Sequence, residues 1–279
     1  MSSTLPGPTE PEPTAATATP GRIRREPPRF RVVAVRRVER LGPRMIRVTL
    51  AGAELEGLTA ELPAASVRLL LPPPGARELV MPSWNGNEFL LANGARPAIR
   101  TFTPRRVDAA SLELDLDIVV HGGGVSSRWA ERAAPGDPAA VSGPGRGYAI
   151  DRDAPAYLVV GDETAIPAIT QLLEAMPAEI PVQVCIEIAS PDARLALPAG
   201  PNVTVEWRDL PPGSAPGAVL VDAVRAAEIA PGARVWAAGE AAAVQRIRRH
   251  LFEERGIPRA LTSVRGYWKY GRAADPTDD

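Results

Sequence analysis

The chain has 279 residues, which is enough for two domains with hydrophobic cores. Its 32 Lys and Arg residues nearly balance 33 Asp and Glu residues, so a formal net charge of -1 gives no global attraction to nucleic acid or to an anionic membrane. The single cysteine, Cys185, excludes an internal disulfide, and two histidines are too few for a histidine-rich metal cluster. No apolar run of about 18 residues predicts a membrane span, and no secretory pattern opens the chain. We therefore expect a cytoplasmic protein without membrane insertion or a metal site.

The first half predicts an antiparallel β barrel. Residues 1–28 are rich in Pro, Thr, Ala and Glu and lack apolar periodicity, which predicts a disordered extension. From Phe30 onward, short alternating apolar segments are separated by turn residues, as in small antiparallel barrels. Six strands are predicted, over residues 31–38, 44–50, 65–71, 100–105, 112–120 and 139–142. Residues 76–97 predict a long loop.

The second half alternates strand and helix. Strands are predicted over residues 157–160, 182–188, 203–207 and 234–238, with helices over 165–175, 218–230 and 240–255. This alternation favours a parallel sheet with helices on its faces. The predicted fold class is a β barrel plus α/β: a six-stranded barrel over residues 29–150, then a parallel-sheet domain with a C-terminal tail over 151–272. Residues 273–279 are predicted to be disordered.

In the segment RTFTPR, residues 100–105, two arginines flank an aromatic ring and two hydroxyl groups. Guanidinium groups bind phosphate in a planar fork, and a ring can pack on a heterocycle while a hydroxyl reaches a ring nitrogen. A flat heteroaromatic ligand with a phosphate tail could use all of these groups. An exposed strand with solvated arginines is the alternative.

Three glycines separate a predicted strand from a predicted helix in the segment HGGGVSS, residues 121–127. Glycines let the backbone approach a ligand, and the amides of a helix N-terminus attract phosphate. A helix is expected to begin near Ser126 or Ser127. A glycine turn before an ordinary helix cap is the alternative.

Two further strand–glycine–helix patterns occur at Gly161-Asp-Glu-Thr and at Gly239-Glu240. Ligands bind at the carboxyl ends of the strands in open α/β sheets. Thr164 is a candidate helix cap, and the two carboxylates suit the helix dipole, which is also a sufficient structural explanation for them. Near the C-terminus, Lys269 is the only lysine of the chain and lies between two aromatic residues. This position suits an anionic ligand, although a solvated surface charge is the alternative.

Over about residues 29–272, these stretches resemble the siderophore-interacting proteins, which are flavin-dependent ferric-siderophore reductases of the ferredoxin-reductase-like superfamily. RTFTPR is similar to the family's Arg-x-Tyr-Thr-x-Arg, and DIVVHGGGVSSRWA resembles Asp-Phe-Val-Leu-His-Gly-x-x-Gly-Pro-Ala-Ser-x-Trp-Ala. GDETAIPAI matches Gly-Asp-Glu-Thr-Ala-x-Pro-Ala-Ile. WAAGE and GYWKYG are similar to Trp-x-Ala-Gly-Glu and Gly-Tyr-Trp-Arg-x-Gly. The chain departs from the family at Phe102, Val125 and Ser126, where Tyr, Pro and Ala are usual. It also has arginine at position 68 and lysine at position 269, an exchange of the common order.

The resemblance implies three groups of site residues. FAD would be bound by Arg100, Thr101, Phe102, Thr103, His121, Gly122, Gly124, Val125, Ser126 and Ser127. The nicotinamide and flavin-edge region of the NAD(P)H site would include Asp162, Glu163, Thr164, Gly239 and Glu240. A basic cluster of Arg68, Arg128 and Lys269 would bind the ferric siderophore.

The resemblance further implies that the barrel binds FAD and the α/β domain binds NADH or NADPH. Electrons would pass through FAD to a ferric siderophore and release Fe(II), with no catalytic side chain required. We expect a monomer. Two alternatives stay open: an FAD-containing siderophore-binding protein with little turnover, and a flavin reductase serving another acceptor such as a ferredoxin. Arg246, Arg248 and Arg249 could bind a nucleotide 2′-phosphate or form a solvated helix face, so the sequence leaves the nucleotide and the siderophore class open.

Overall fold

The computed structural model describes residues 29–271 except 74, 77 and 199. The predicted extension over residues 1–28 and the predicted tail over 273–279 lie outside the described residues. None of the described helices is long and apolar enough to cross a membrane.

The first half of the chain forms an antiparallel barrel. In chain order it contains β1 Phe30–Gly42, β2 Met45–Ala51, β3 Val67–Leu71, β4 Ser83–Trp84, β5 Phe89–Leu90, β6 Ala98–Phe102, β7 Pro104–Asp108, β8 Glu113–Val119, α1 Val125–Arg132 and β9 Pro138–Ser142. Within the described residues, seven strands form one sheet in the order β6-β3-β9-β1-β2-β8-β7. The edge strands β6 and β7 are separated only by Thr103, so the chain itself joins the two edges. The predicted barrel is confirmed, but its sheet has seven strands instead of the six predicted, because the predicted strand over residues 100–105 is divided between β6 and β7.

Apolar and polar residues alternate along β2 and β8, and the apolar ones form part of the barrel core. Ile46 pairs with Ile118 and Val48 with Leu116, and these side chains face the interior. Each such buried aliphatic side chain contributes about 1.5–3 kcal/mol relative to exposure. The intervening residues are polar and bind across the strands, as the hydroxyl of Thr49 does when it donates to Asp115 Oδ1 at 2.6 Å.

The second half forms the predicted parallel sheet. In chain order it contains β10 Tyr157–Asp162, α2 Ile166–Ala175, β11 Val182–Ile188, β12 Val203–Asp209, α3 Ala218–Ala226, β13 Arg234–Glu240, α4 Ala241–Arg249 and β14 Thr262–Trp268. Neighbouring strands pair in parallel in the order β12-β11-β10-β13-β14. Alternate residues of β10 enter different cores: Val159 packs with the α2 side, whereas Val160 packs with α3 and α4. Helices therefore cover both faces of the sheet.

Two elements were not predicted from the sequence. Residues 76–97, predicted as a loop, contain the short ribbon of β4 and β5, in which the Trp84 and Phe89 rings lie 4.9 Å apart and Phe89 also contacts Phe30 at 5.2 Å. Residues 262–268 form β14, which pairs in parallel with β13 although Gly266 interrupts its apolar pattern. β14 brings the C-terminal aromatic motif to the edge of the sheet.

The two halves share polar and apolar contacts. The Arg44 guanidinium donates to Glu163 at 2.8 Å, and Gln171 on α2 donates to the Pro104 carbonyl at 2.6 Å. Met45 belongs to the same hydrophobic cluster as the α2 face of the parallel sheet. These contacts place the bend between β6 and β7 beside the α/β half.

Candidate functional site

Residues 100–105, the flavin-type segment, meet the C-terminal motif of residues 266–271 at the bend between β6 and β7. Thr103 occupies the bend, is 8% exposed, and lies beside the side chain of Tyr267 on β14. Burial raises the pKa of Tyr267, and its ring lies edge-on to Trp236 with the ring centroids 6.4 Å apart. Two segments from opposite halves of the chain therefore meet at this bend.

The other residues of the flavin-type segment have different environments. Thr101 is exposed and pairs in register with Arg68 on β3. Phe102 is half-buried and packs against the barrel core, and Arg100 donates to the Ile99 carbonyl at 2.5 Å. The sequence prediction treated residues 100–105 as one strand, but the chain changes partner strands at Thr103, from β3 to β8.

The glycine loop of residues 121–124 is fixed by Ser127 and has free space beside Gly122. The backbone amide of His121 donates to Ser127 Oγ at 3.1 Å, and Ser127 is 2% exposed. Gly122 and Gly124 have φ values of 71° and 74°, a region that favours glycine. Apart from Gly122 itself and its two chain neighbours, no described residue has an atom within 4 Å of the position that a Cβ on Gly122 would occupy.

The loop leads directly into α1, which begins at Val125, one residue before the predicted start. Its N-cap is Gly124, and no side chain of a described residue caps it. The first amides of a helix lack intrahelical acceptors, so those of Val125 and Ser126 point their N–H groups out of the helix end. A glycine loop followed by such amides is a suitable site for phosphate.

Asp162 connects three neighbouring strands at the carboxyl edge of the parallel sheet. Its Oδ2 accepts from the Glu240 amide at 2.9 Å and from the Trp268 indole at 2.7 Å, while its Oδ1 accepts from the Thr164 hydroxyl at 2.5 Å. Burial raises the pKa of Asp162, and these hydrogen bonds oppose that shift. The carboxylate predicted as a ligand contact therefore has protein donors on both oxygens.

Glu163 and Thr164 are also bound within the protein. Glu163 is 6% exposed and accepts from Arg44 and from the Ala189 amide, the latter at 2.6 Å. The Thr164 side chain donates to Asp162, which leaves its Oγ able to accept a further hydrogen bond. The Gly161-Asp-Glu-Thr turn is thus fixed to the barrel and to β11.

The second glycine pattern ends in a capping carboxylate. Glu240 Oε2 accepts from the Ala243 amide at 2.9 Å and caps α4, and Oε1 accepts from the Tyr270 amide at 3.2 Å. Gly239 is buried, with φ at 151°. Glu187, not singled out from the sequence, binds the start of α3 from β11, accepting from the Gly217 amide at 2.6 Å and from the Val219 amide at 3.2 Å.

The three predicted substrate cations have different surroundings. Arg68 is half-buried on β3 between Thr101 and Ser142 of the neighbouring strands. Arg128 and Lys269 are exposed, and neither side chain forms an ion pair or hydrogen bond with another residue of the described ranges. Arg128 lines a cleft between α1 and the loop that follows β3, together with Arg132 one turn further along the helix.

The arginines considered for a 2′-phosphate lie in the last turn of α4. The helix begins at the carboxyl edge and rises about 1.5 Å per residue, so Arg246 to Arg249 lie roughly 8–12 Å along it from that edge. Arg248 also donates to the Val264 carbonyl at 2.6 Å. This position favours the interpretation of a helix surface.

The barrel, the glycine loop and the carboxyl edge define a two-domain flavin-binding oxidoreductase fold, and the comparisons agree. Residues 34–148 match the siderophore-interacting FAD-binding domain, and residues 154–271 match the siderophore-interacting protein domain. The chain belongs to the siderophore-interacting protein family.

Similar proteins include one solved structure and two named reductases. A siderophore utilization protein from T. fusca is 37% identical with a TM-score of 0.78, covering 88% of this chain and 95% of that one. Ferric vibriobactin reductase ViuB of Vibrio cholerae is 29% identical over 232 residues, which are 82% of this chain and 85% of ViuB. An NADPH-dependent ferric-chelate reductase of Escherichia coli is 36% identical over 157 residues, which are 56% of this chain and 61% of that protein.

Proposed function

We propose that this protein is an FAD-dependent ferric-siderophore reductase that takes electrons from NADH or NADPH and releases Fe(II). The observation that carries the proposal is that Thr103 lies beside Tyr267, so that the flavin-type segment meets the segment bearing Lys269. The names of the two related reductases support the same reaction.

The described residues fit FAD in the barrel half, which we take as residues 29–150. Gly122 is open on one side, and the uncapped amides of Val125 and Ser126 suit a pyrophosphate. Phe102 offers a half-exposed ring for an isoalloxazine, and the exposed Thr101, whose side chain points to the other face of β6, would contact a different part of FAD. Arg100, Thr103, His121, Gly124 and Ser127 complete the proposed set. When bound, FAD supplies the change from a two-electron nucleotide donor to a one-electron iron acceptor.

The nucleotide would bind at the carboxyl edge of the parallel sheet, within residues 151–272. Ligands of open α/β sheets bind there. Because the carboxylates of Asp162 and Glu163 already have protein donors, they would hold the turn in place, while Thr164 and the backbone near Gly239 would face the nicotinamide. Buried, fully bonded carboxylates keep this region closed to the nucleotide phosphates.

The substrate would be an anionic ferric chelate gathered by Arg68, Arg128 and Lys269. Arg128 and Lys269 are exposed and form no salt bridge with another described residue. A ligand can therefore displace water from them without breaking an existing ion pair. Hard oxygen chelators hold Fe(II) much more weakly than Fe(III), so reduction releases the metal. We propose that the protein acts in the cytoplasm as a monomer.

Steady-state Fe(II) formation tests the proposal. FAD-loaded protein is mixed anaerobically with a ferric siderophore, NADH or NADPH, and a chromophoric Fe(II) trap. The proposal predicts Fe(II) formation that requires both FAD and nucleotide. Flavin reduction by nucleotide without Fe(II) formation would instead favour a reductase of another acceptor, such as a ferredoxin, and slow flavin reduction with tight chelate binding would favour a binding protein.

A further inference from the structure

Lys269 lies between two residues that are each bound to a buried carboxylate. The Trp268 indole donates to Asp162 Oδ2 at 2.7 Å, and the Tyr270 amide donates to Glu240 Oε1 at 3.2 Å. Asp162 and Glu240 are 6% and 4% exposed, whereas Lys269 between these two anchors is exposed. The chain is therefore fixed on both sides of the lysine.

The two carboxylates are themselves fixed by the parallel sheet. Asp162 accepts from the Glu240 amide, and Glu240 caps α4 by accepting from the Ala243 amide. A third contact precedes them, because Tyr267 lies beside Thr103 of the barrel. Lys269 is thus carried on a segment held by β10, by the end of β13 and by the barrel.

We infer that Asp162 and Glu240 are positioning residues for Lys269, which fix the ammonium toward the ferric chelate rather than contacting the nucleotide with their carboxylates. The inference rests on the proposed function. A lysine presents a point charge on a flexible stem and lacks the bidentate geometry of arginine, so its placement depends on the backbone that carries it. Two buried hydrogen-bond acceptors provide that backbone restraint.

Two single substitutions with matched controls test the inference. Trp268→Phe removes the indole donor to Asp162, and its control is Trp207→Phe, a half-buried tryptophan on β12. Glu240→Gln removes one carboxylate acceptor. Its control is Glu187→Gln, which makes the same change at another buried carboxylate at the start of a helix, one that has no hydrogen bond to residues 268–270.

Binding is measured by equilibrium dialysis of FAD-loaded protein against a trianionic ferric tris-catecholate, without nucleotide. We expect Trp268→Phe and Glu240→Gln to raise Kd about five- to twentyfold, as for the loss of one hydrogen bond, and their controls to stay within about twofold. Binding of a cationic ferric tris-hydroxamate should not weaken. Hydrogen exchange at the Tyr270 amide gives a readout independent of the chelate, and its protection should fall in Glu240→Gln but not in Glu187→Gln.

A double-mutant cycle gives the sharpest result. If Asp162 acts through Lys269, then Trp268→Phe has no further effect on chelate binding in the Lys269→Ala background, whereas independent effects would multiply. Multiplying effects, or variants that bind like their controls while the wild-type protein binds and reduces the chelate, would overturn the inference and leave the proposed function standing. A wild-type protein that bound and reduced no ferric chelate would overturn both.

Discussion

A Cβ atom at Gly239 would lie 2.6 Å from Oδ2 of Asp162. The Asp162 carboxylate therefore crosses β13 where that strand has no side chain and reaches Trp268 on β14. Glycine is needed at position 239 because any side chain there would occupy the space through which Asp162 reaches Trp268.

We predict that Gly239→Ala disrupts this network. The added methyl group must displace a buried carboxylate, so we expect a loss of about 1–3 kcal/mol in the free energy of unfolding, as for other overpacked cores. Urea unfolding followed by tryptophan fluorescence measures it. Gly200→Ala is the control, because its Cβ would lie 3.9 Å from Val203 Cγ2 in ordinary contact. Equal effects of both substitutions would contradict the explanation.

The ion pairs between the two halves should differ in strength. Glu163 has a side chain that is 8% exposed and depends on Arg44, whereas the partner of Arg105, Glu174, is 45% exposed. We expect Arg44→Met to cost about 1.5–3 kcal/mol, since it leaves a buried carboxylate short of a donor. Arg105→Met should cost less than about 1 kcal/mol. The reverse order in denaturant unfolding would show that Glu163 does not need Arg44.

The barrel should carry an acid-sensitive contact at Asp115. Burial by itself raises the pKa of Asp115, but hydrogen bonds from Thr49 and Arg106 outweigh it and hold the pKa below its usual range. A lowered folded pKa adds stability above the unfolded pKa of about 3.9, and this stability is lost as the pH falls through the folded value.

Thr49→Val removes one of these donors with little change of shape. We expect a loss of about 1–3 kcal/mol in the free energy of unfolding at neutral pH. The difference from the wild-type protein should narrow as Asp115 is protonated. Thr204→Val, at an exposed threonine on β12, is the control. A difference that stayed constant with pH would indicate packing and not the carboxylate.

Lys269→Ala should weaken use of an anionic ferric chelate without loss of FAD. We expect KM for the chelate to rise about ten- to hundredfold, as for the loss of one charge-assisted contact. Lys269→Arg should retain most of the activity, and Arg152→Ala, at an exposed arginine outside the site, should match the wild-type protein. An unchanged KM in Lys269→Ala would remove this residue from the substrate site.

Local patterns were sufficient to predict most of the fold. Alternation predicted the β2 and β8 strands, because residues such as Val48 and Leu116 must face one core. The strand–glycine–helix patterns at Gly161 and Gly239 predicted the carboxyl edge of the parallel sheet. β14 was missed because Gly266 weakens its strand pattern, and the β4–β5 ribbon because its two-residue strands are too short to show periodicity.

The sequence predicted which residues are candidates for the site, but not which of them contact one another. Thr103 and Tyr267 lie in opposite halves of the chain, and no local pattern indicates that they meet. For the same reason the sequence suggested Asp162 as a ligand contact and not as an acceptor for Trp268. Glu187 had a usable signal, since a carboxylate within the apolar run of a strand requires hydrogen-bond donors when it is buried.

The visible spectrum of the purified, FAD-reconstituted protein tests the central claim most directly. It should be recorded under anaerobic conditions before and after NADH or NADPH is added, and again after a ferric siderophore is added with an Fe(II) trap. Our account predicts flavin bands that bleach with nucleotide and return with the siderophore as trapped Fe(II) forms. A protein that binds no FAD, or a bleached flavin that the ferric siderophore does not reoxidise, would contradict it.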